Sequence, residues 1–188
     1  MQFNLLVDNK NPDNLSHYLV VTHFVLFQLA WFACVLGATN GWPWLGVAMT
    51  LIMLAWHLYQ AQRVKPELLL ILITLMIGAT FDQALLSYHV IEYQHPGWIS
   101  SVVPVWILAL WLGFAMALNV NFRWLRNKPL IAILFGALGG PAAYYGASQF
   151  GALNFVSGNH GLLILAAGWA LVTPMLMAIS IRFDGFKS

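Results

Sequence analysis

Six long apolar runs, near residues 17–39, 43–61, 67–91, 100–121, 129–150 and 160–182, dominate this chain. Each is long enough as a helix to approach the roughly 30 Å hydrocarbon thickness of a bilayer. The breaks between them, "TNGWP", "QRVKP", "EYQHPG", "RNKP" and "VSGN", are short and rich in turn formers. Four of these breaks carry a proline, a residue that suits a first helical turn. Charged residues make up 7% of the 188, against about 25% in a soluble domain, so lipid rather than water is the expected solvent. Mean hydropathy of +0.76 agrees. The expected fold is all-α: one integral-membrane domain over residues 1–188, a bundle of six transmembrane helices.

Residues not used to find the runs test the count. With six spans, the N-terminus, the second and fourth connections and the C-terminus share one side. That side receives Lys10, Arg63, Lys65, Arg123, Arg126, Lys128, Arg182 and Lys187, which are all eight basic residues other than histidine. The positive-inside bias then predicts a multi-pass membrane protein with both termini in the cytoplasm. Trp42, Trp44 and Trp98 fall at the outer interface and Trp124 at the inner one. The N-terminus lacks the basic region of a cleaved signal, and Phe3, Leu5 and Leu6 are expected on the membrane surface. A net charge of +2, dispersed, argues against nucleic acid as a partner, and the single cysteine, Cys34, excludes an intramolecular disulfide.

One acid interrupts the pattern. Asp82 lies inside the third run, about 22 Å along the helix from Glu67, in the outer half of the hydrocarbon. An aspartate there costs roughly 2.5–3.5 kcal/mol on insertion scales, so it is expected to face the protein interior or water. It reads either as a hydrogen-bonded tie between helices or as a proton-handling, cation-binding or substrate-polarising group. Glu67, after Pro66, reads as a carboxylate at a helix start. The fifth run supplies partners for Asp82. In "FGALGGPAAYYGASQFGA", Gly136, Gly139, Gly140, Ala143, Ala147 and Gly151 make a small-residue stripe for close helix contact. Pro141 removes one backbone hydrogen bond, and Tyr144, Tyr145 and Gln149 follow at the depth of Asp82. Gln83 adds a polar group, and Trp106 and Trp111 an apolar wall. Together they predict a pocket between the third, fourth and fifth spans.

A weaker cluster lies toward the cytoplasm, where His23 and His57 share a depth and Asn119 and Asn121 end the fourth span. No histidine spacing matches a di-iron or zinc motif, so neither metal nor cofactor is expected. Pro174 reads as a kink in the sixth span, with Thr173 satisfying a freed carbonyl.

Gly78-x-x-x-Asp82, "PVWILALWLGFAMAL" and "FGALGGPAAYYGA" resemble an uncharacterised bacterial family of six-span inner-membrane proteins, catalogued as a domain of unknown function. The resemblance implies an inner-membrane protein of Gram-negative bacteria. It also implies gene clusters shared with oxidative-stress genes and with fatty-acid-modifying enzymes resembling cyclopropane synthases. It carries over no active-site residues. The leading expectation is a protein that binds or modifies a lipid or another apolar molecule around Asp82, with membrane lipids as its partners. A small proton- or cation-coupled transporter working as an oligomer and a non-catalytic scaffold remain as alternatives, and the sequence does not decide whether the chain is an enzyme.

Overall fold

The computed structural model describes residues 7–8 and 11–187. Six helices carry the fold: α1 (His17–Thr39), α2 (Trp44–Gln60), α3 (Val64–Ser87), α4 (Val105–Asn119), α5 (Pro129–Gln149) and α6 (Asn159–Arg182). Ser16 caps α1 by accepting the Leu19 amide at 3.2 Å, and Pro129 opens α5 at a position where its missing N–H costs nothing. Helices α1, α3, α5 and α6 are long and apolar enough to cross a membrane, whereas α2 and α4 are shorter apolar helices of 17 and 15 residues. The expected surface segment around Phe3, Leu5 and Leu6, with Lys10, lies outside the described residues.

Helix α4 is apolar all round and therefore buried: it packs on α1, α2, α3 and α6. Helices α5 and α6 form the most extensive pair. Many large apolar side chains on the other helices face outward, among them Leu72, Met76, Leu138, Leu163 and Leu171, a surface compatible with a lipid surround. Cys34 is buried and free, packed against Gly46 of α2.

Two expected boundaries move furthest. The third helix ends at Ser87, not near residue 91: His89 takes φ 53° and the chain turns into a strand, β3 (Ile91–Tyr93). β3 pairs antiparallel with β4 (Leu153–Phe155), which follows α5 after a reversal at Gly151 (φ 81°). A further pair, β1 (Val7–Asp8) with β2 (Asn11–Leu15), precedes α1. The fourth helix starts at Val105 rather than 100, because Pro104 is extended and the Val103 amide donates to Gln83 Oε1 at 2.9 Å.

The connections α2–α3 and α4–α5 meet the residues after α6 at one end of the bundle. There Arg63 Nη2 donates to the Asp184 carbonyl at 2.9 Å, while Arg123 and Arg126 reach the Asp184 carboxylate at 2.5 and 2.7 Å. This is the basic end. The hairpin β3–β4 with Trp42, Trp44 and Trp98, all exposed, marks the opposite end.

Candidate functional site

Asp82 is fully buried, and three donors converge on it. Tyr93 Oη donates to Oδ1 at 2.5 Å, Tyr144 Oη to the same oxygen at 2.7 Å, and Trp111 Nε1 to Oδ2 at 2.5 Å. The array matches the acceptor-only character of a carboxylate. Burial first, then the neighbouring Asp82, push the Tyr93 hydroxyl well above its usual range, so it stays a donor. Three elements meet α3 here: the strand β3, α4 and α5.

The Gly78-x-x-x-Asp82 spacing has a concrete cause. The two residues lie one turn apart on one face of α3. A Cβ on Gly78 would sit 2.0 Å from the Trp111 ring, so the glycine seats the indole that Asp82 then binds by its N–H. Across the bundle, Gly140 seats Trp169 in the same way, with a clash distance of 2.2 Å. The two indoles stack with ring centroids 4.9 Å apart and an interplanar angle of 2°. Two glycine-backed tryptophans thus lock α3, α4, α6 and α5 together.

This stack closes the side on which a pocket between α3, α4 and α5 was expected. The cavity opens instead between α1, α4, α5 and α6, with a volume of about 420 Å³, within the size range of ligand sites. Its wall is almost wholly apolar, including Phe27, Trp31, Phe114 and Phe135. Tyr144 and Trp111 line it, so Asp82 stands one residue behind the wall. Thr173 also lines it, and its hydroxyl is buried without a partner rather than bonded to a freed carbonyl. The Trp169 indole N–H is likewise buried without an acceptor in good geometry, though it lies near enough to Tyr144 to interact with its hydroxyl.

The small residues of α5 divide between two faces. Gly136 and Gly140 have no room for a side chain, their Cβ positions being 2.3 Å from the Trp169 carbonyl and 2.2 Å from its ring. Gly139 meets only Phe135, at 4.0 Å, and together with Ala143 faces the cavity.

Other expected site residues fall elsewhere. Tyr145 is 52% exposed and Gln149 is exposed, so neither approaches Asp82; consecutive helical positions point about 100° apart, and Tyr144 takes the inward one. Gln83 pins the α3–α4 connection through the Val103 amide and the Ser101 carbonyl. Trp106 is buried against Tyr93 and donates to the Gln94 carbonyl at 3.3 Å, away from the cavity.

The basic end carries the larger polar network. His23 and His57 meet at 3.1 Å, His57 Nε2 contacts Glu67 Oε2 at 2.9 Å, and Asn119 Nδ2 donates to Glu67 Oε1 at 2.5 Å. Glu67 lies in the first turn of α3, as expected, and is fully buried. It sits inside because the segment after α6 folds over it and the Gly185 amide donates to its Oε1 at 2.7 Å. Asn121 Oδ1 joins His23 Nδ1 at 2.7 Å, and Asn121 also lines the foot of the cavity. Burial lowers the Arg123 guanidinium from its ordinary value, and the Asp184 carboxylate opposes that shift.

Sequence reasoning placed Tyr93 in a connection and left Trp169 unnoticed. The alternation "VIEY" against "LNFV" was the available signal for the hairpin that carries Tyr93 to Asp82. Among the described residues no cluster of His, Cys, Asp and Glu is arranged to hold a metal ion.

No curated protein and no solved structure matches the chain. A family model described as a protein of unknown function, DUF2878, matches residues 20–175, from the first turns of α1 to just past Pro174 in α6. The matched length takes in Asp82 with its three donors and the whole cavity wall, and the chain belongs to the DUF2878 family.

Proposed function

We propose that this is a six-span protein of the bacterial inner membrane, with both termini cytoplasmic, that binds a lipid chain or a comparable apolar molecule in the cavity between α1 and α5. The gathering of Arg63, Arg123, Arg126 and Arg182 at one end supports that orientation. The observation that carries the binding reading is the cavity itself: about 420 Å³, apolar, and bordered by the outward-facing side chains Phe24 and Phe32, so that lipid has lateral access. Binding is favoured over modification, because Asp82 reaches the cavity only through Tyr144 and Trp111, whose hydrogens it already holds.

A photoactivatable fatty acid tests this reading. Cross-links in the wild-type protein are expected on Gly139, Ala143, Phe27 and Trp169; labelling spread evenly over the outward faces would sink it.

A second reading, proton-coupled transport, draws on one observation: the buried His–Glu network touches the cavity through Asn121. A water path to that network from both sides of the membrane would favour it. The scaffold reading gains nothing from the glycine stripe, since α6 of the same chain already fills Gly136 and Gly140.

A further inference from the structure

Hydrogen-bond polarity along the basic-end network fixes how many protons it holds. Asn121 Nδ2 donates to the Val20 carbonyl at 2.9 Å, so Asn121 Oδ1 is the acceptor facing His23 and the hydrogen between them is on His23 Nδ1. Asn119 is oriented in the same way: its Nδ2 donates to the Phe183 carbonyl and to Glu67, and its Oδ1 accepts from Arg126 Nη2 at 2.6 Å. Glu67 Oε1 is therefore an acceptor, filled by Asn119 and the Gly185 amide. Three contacts remain to be counted: Asn121–His23, His23–His57 and His57–Glu67, at 2.7, 3.1 and 2.9 Å. Each needs one hydrogen. Two neutral imidazoles supply two and a carboxylate supplies none, so the chain is complete only with one additional proton. The count alone would also be met by imidazolium His23, but attraction to the buried carboxylate favours the proton on the neighbouring pair, as imidazolium His57 next to carboxylate Glu67 or as neutral His57 next to carboxylic acid.

We propose that His57 and Glu67 form a proton-holding site, separate from Asp82, that exchanges its proton with the basic face. The groups around it come from every packed element: His23 on α1, His57 on α2, Glu67 on α3, Asn119 on α4, Arg123 and Arg126 in the turn after α4, and Asp184 after α6. The cover toward the basic face is residues 183–186. The Gly185 carbonyl accepts the Gln62 and Arg63 amides, Phe186 lies over the His57 ring at 5.1 Å, and Asp184 is tied to Arg123 and Arg126. This short segment touches both members of the pair, Gly185 at Glu67 and Phe186 at His57.

The test uses the full chain in micelles with ¹⁵N-labelled histidine imidazoles, read together with infrared carboxyl bands. In the wild type, His23 is expected to be protonated on Nδ1. His57 should be protonated on both nitrogens, or on Nδ1 alone with a protonated Glu67 carboxyl band. In Glu67→Gln the amide donates to His57 Nε2 while its oxygen still accepts from Asn119 and Gly185. His57 then becomes neutral, and the chain holds one proton fewer with its contacts intact. Asp184→Asn weakens the cover, and hydrogen–deuterium exchange at His57 should quicken roughly tenfold. Two neutral histidines beside an ionised Glu67 in the wild type would overturn the proposal, a reading that needs no variant to fold. Unchanged exchange in Asp184→Asn would overturn the exit toward the basic face.

Discussion

Asp82 and Glu67 are both fully buried carboxylates on α3, fifteen positions apart in sequence, and they differ in what faces them. Asp82 meets two hydroxyls and an indole N–H, all of which can donate. Glu67 meets two N–H donors on one oxygen and an imidazole nitrogen on the other, a group that either gives or takes a hydrogen. The first surround ties four elements together through donors alone. The second includes one partner that can also take a hydrogen. Burial of an acid in an apolar helix is thus not in itself the mark of a proton site; the polarity of its partners sets the two apart.

The same chemical change at each acid is the sharpest way to break this comparison. Asp82→Asn turns one acceptor atom into a donor among three donors, and the mismatch leaves at least one buried N–H or O–H unpaired. A loss of about 2–4 kcal/mol is expected from thermal unfolding in detergent. Gly78→Ala acts on the same tie from below. Its methyl group must displace the Trp111 ring that sits 2.0 Å from its position, at about 1–3 kcal/mol, with a shift in tryptophan emission as the indole stack opens. Glu67→Gln keeps every contact and should change stability by less than about 1 kcal/mol. Equal losses in Asp82→Asn and Glu67→Gln would erase the distinction between the two acids. Smallest of all, Tyr145→Phe removes a hydroxyl from an outward-facing side chain and should leave melting within about 0.5 kcal/mol of wild type.

Much of the helical layout was legible because apolar length is a strong signal: the expected run 17–39 and the helix His17–Thr39 coincide, and α5 and α6 differ from their expected limits by one residue. The misses share a cause. The ends of α3 and α4 are set by contacts distant in sequence, namely the hairpin with β4 and the Gln83 side chain, which no local pattern records. Tyr144 was readable as a partner of Asp82 from depth alone, but depth cannot separate it from Tyr145, because that choice is rotational. Glu67 was legible as a helix-start carboxylate, but its burial was not, because the covering segment with Asp184 and Gly185 lies more than a hundred residues away. The cavity was sought on the wrong side of α5 because its small residues serve two faces, one filled by Trp169 and one left open.

That open face offers the most direct measurement. Gly139→Leu starts a side chain at the cavity wall, where its Cβ meets only Phe135, at 4.0 Å, and a leucine in a helix interior is favoured over glycine by about 0.8 kcal/mol. The variant should fold at least as stably as wild type. Quantitative lipid mass spectrometry of the two purified proteins should then find a bound apolar molecule in the wild type and its loss in Gly139→Leu. Equal lipid content in the two proteins, with both folded, would contradict a ligand in this cavity.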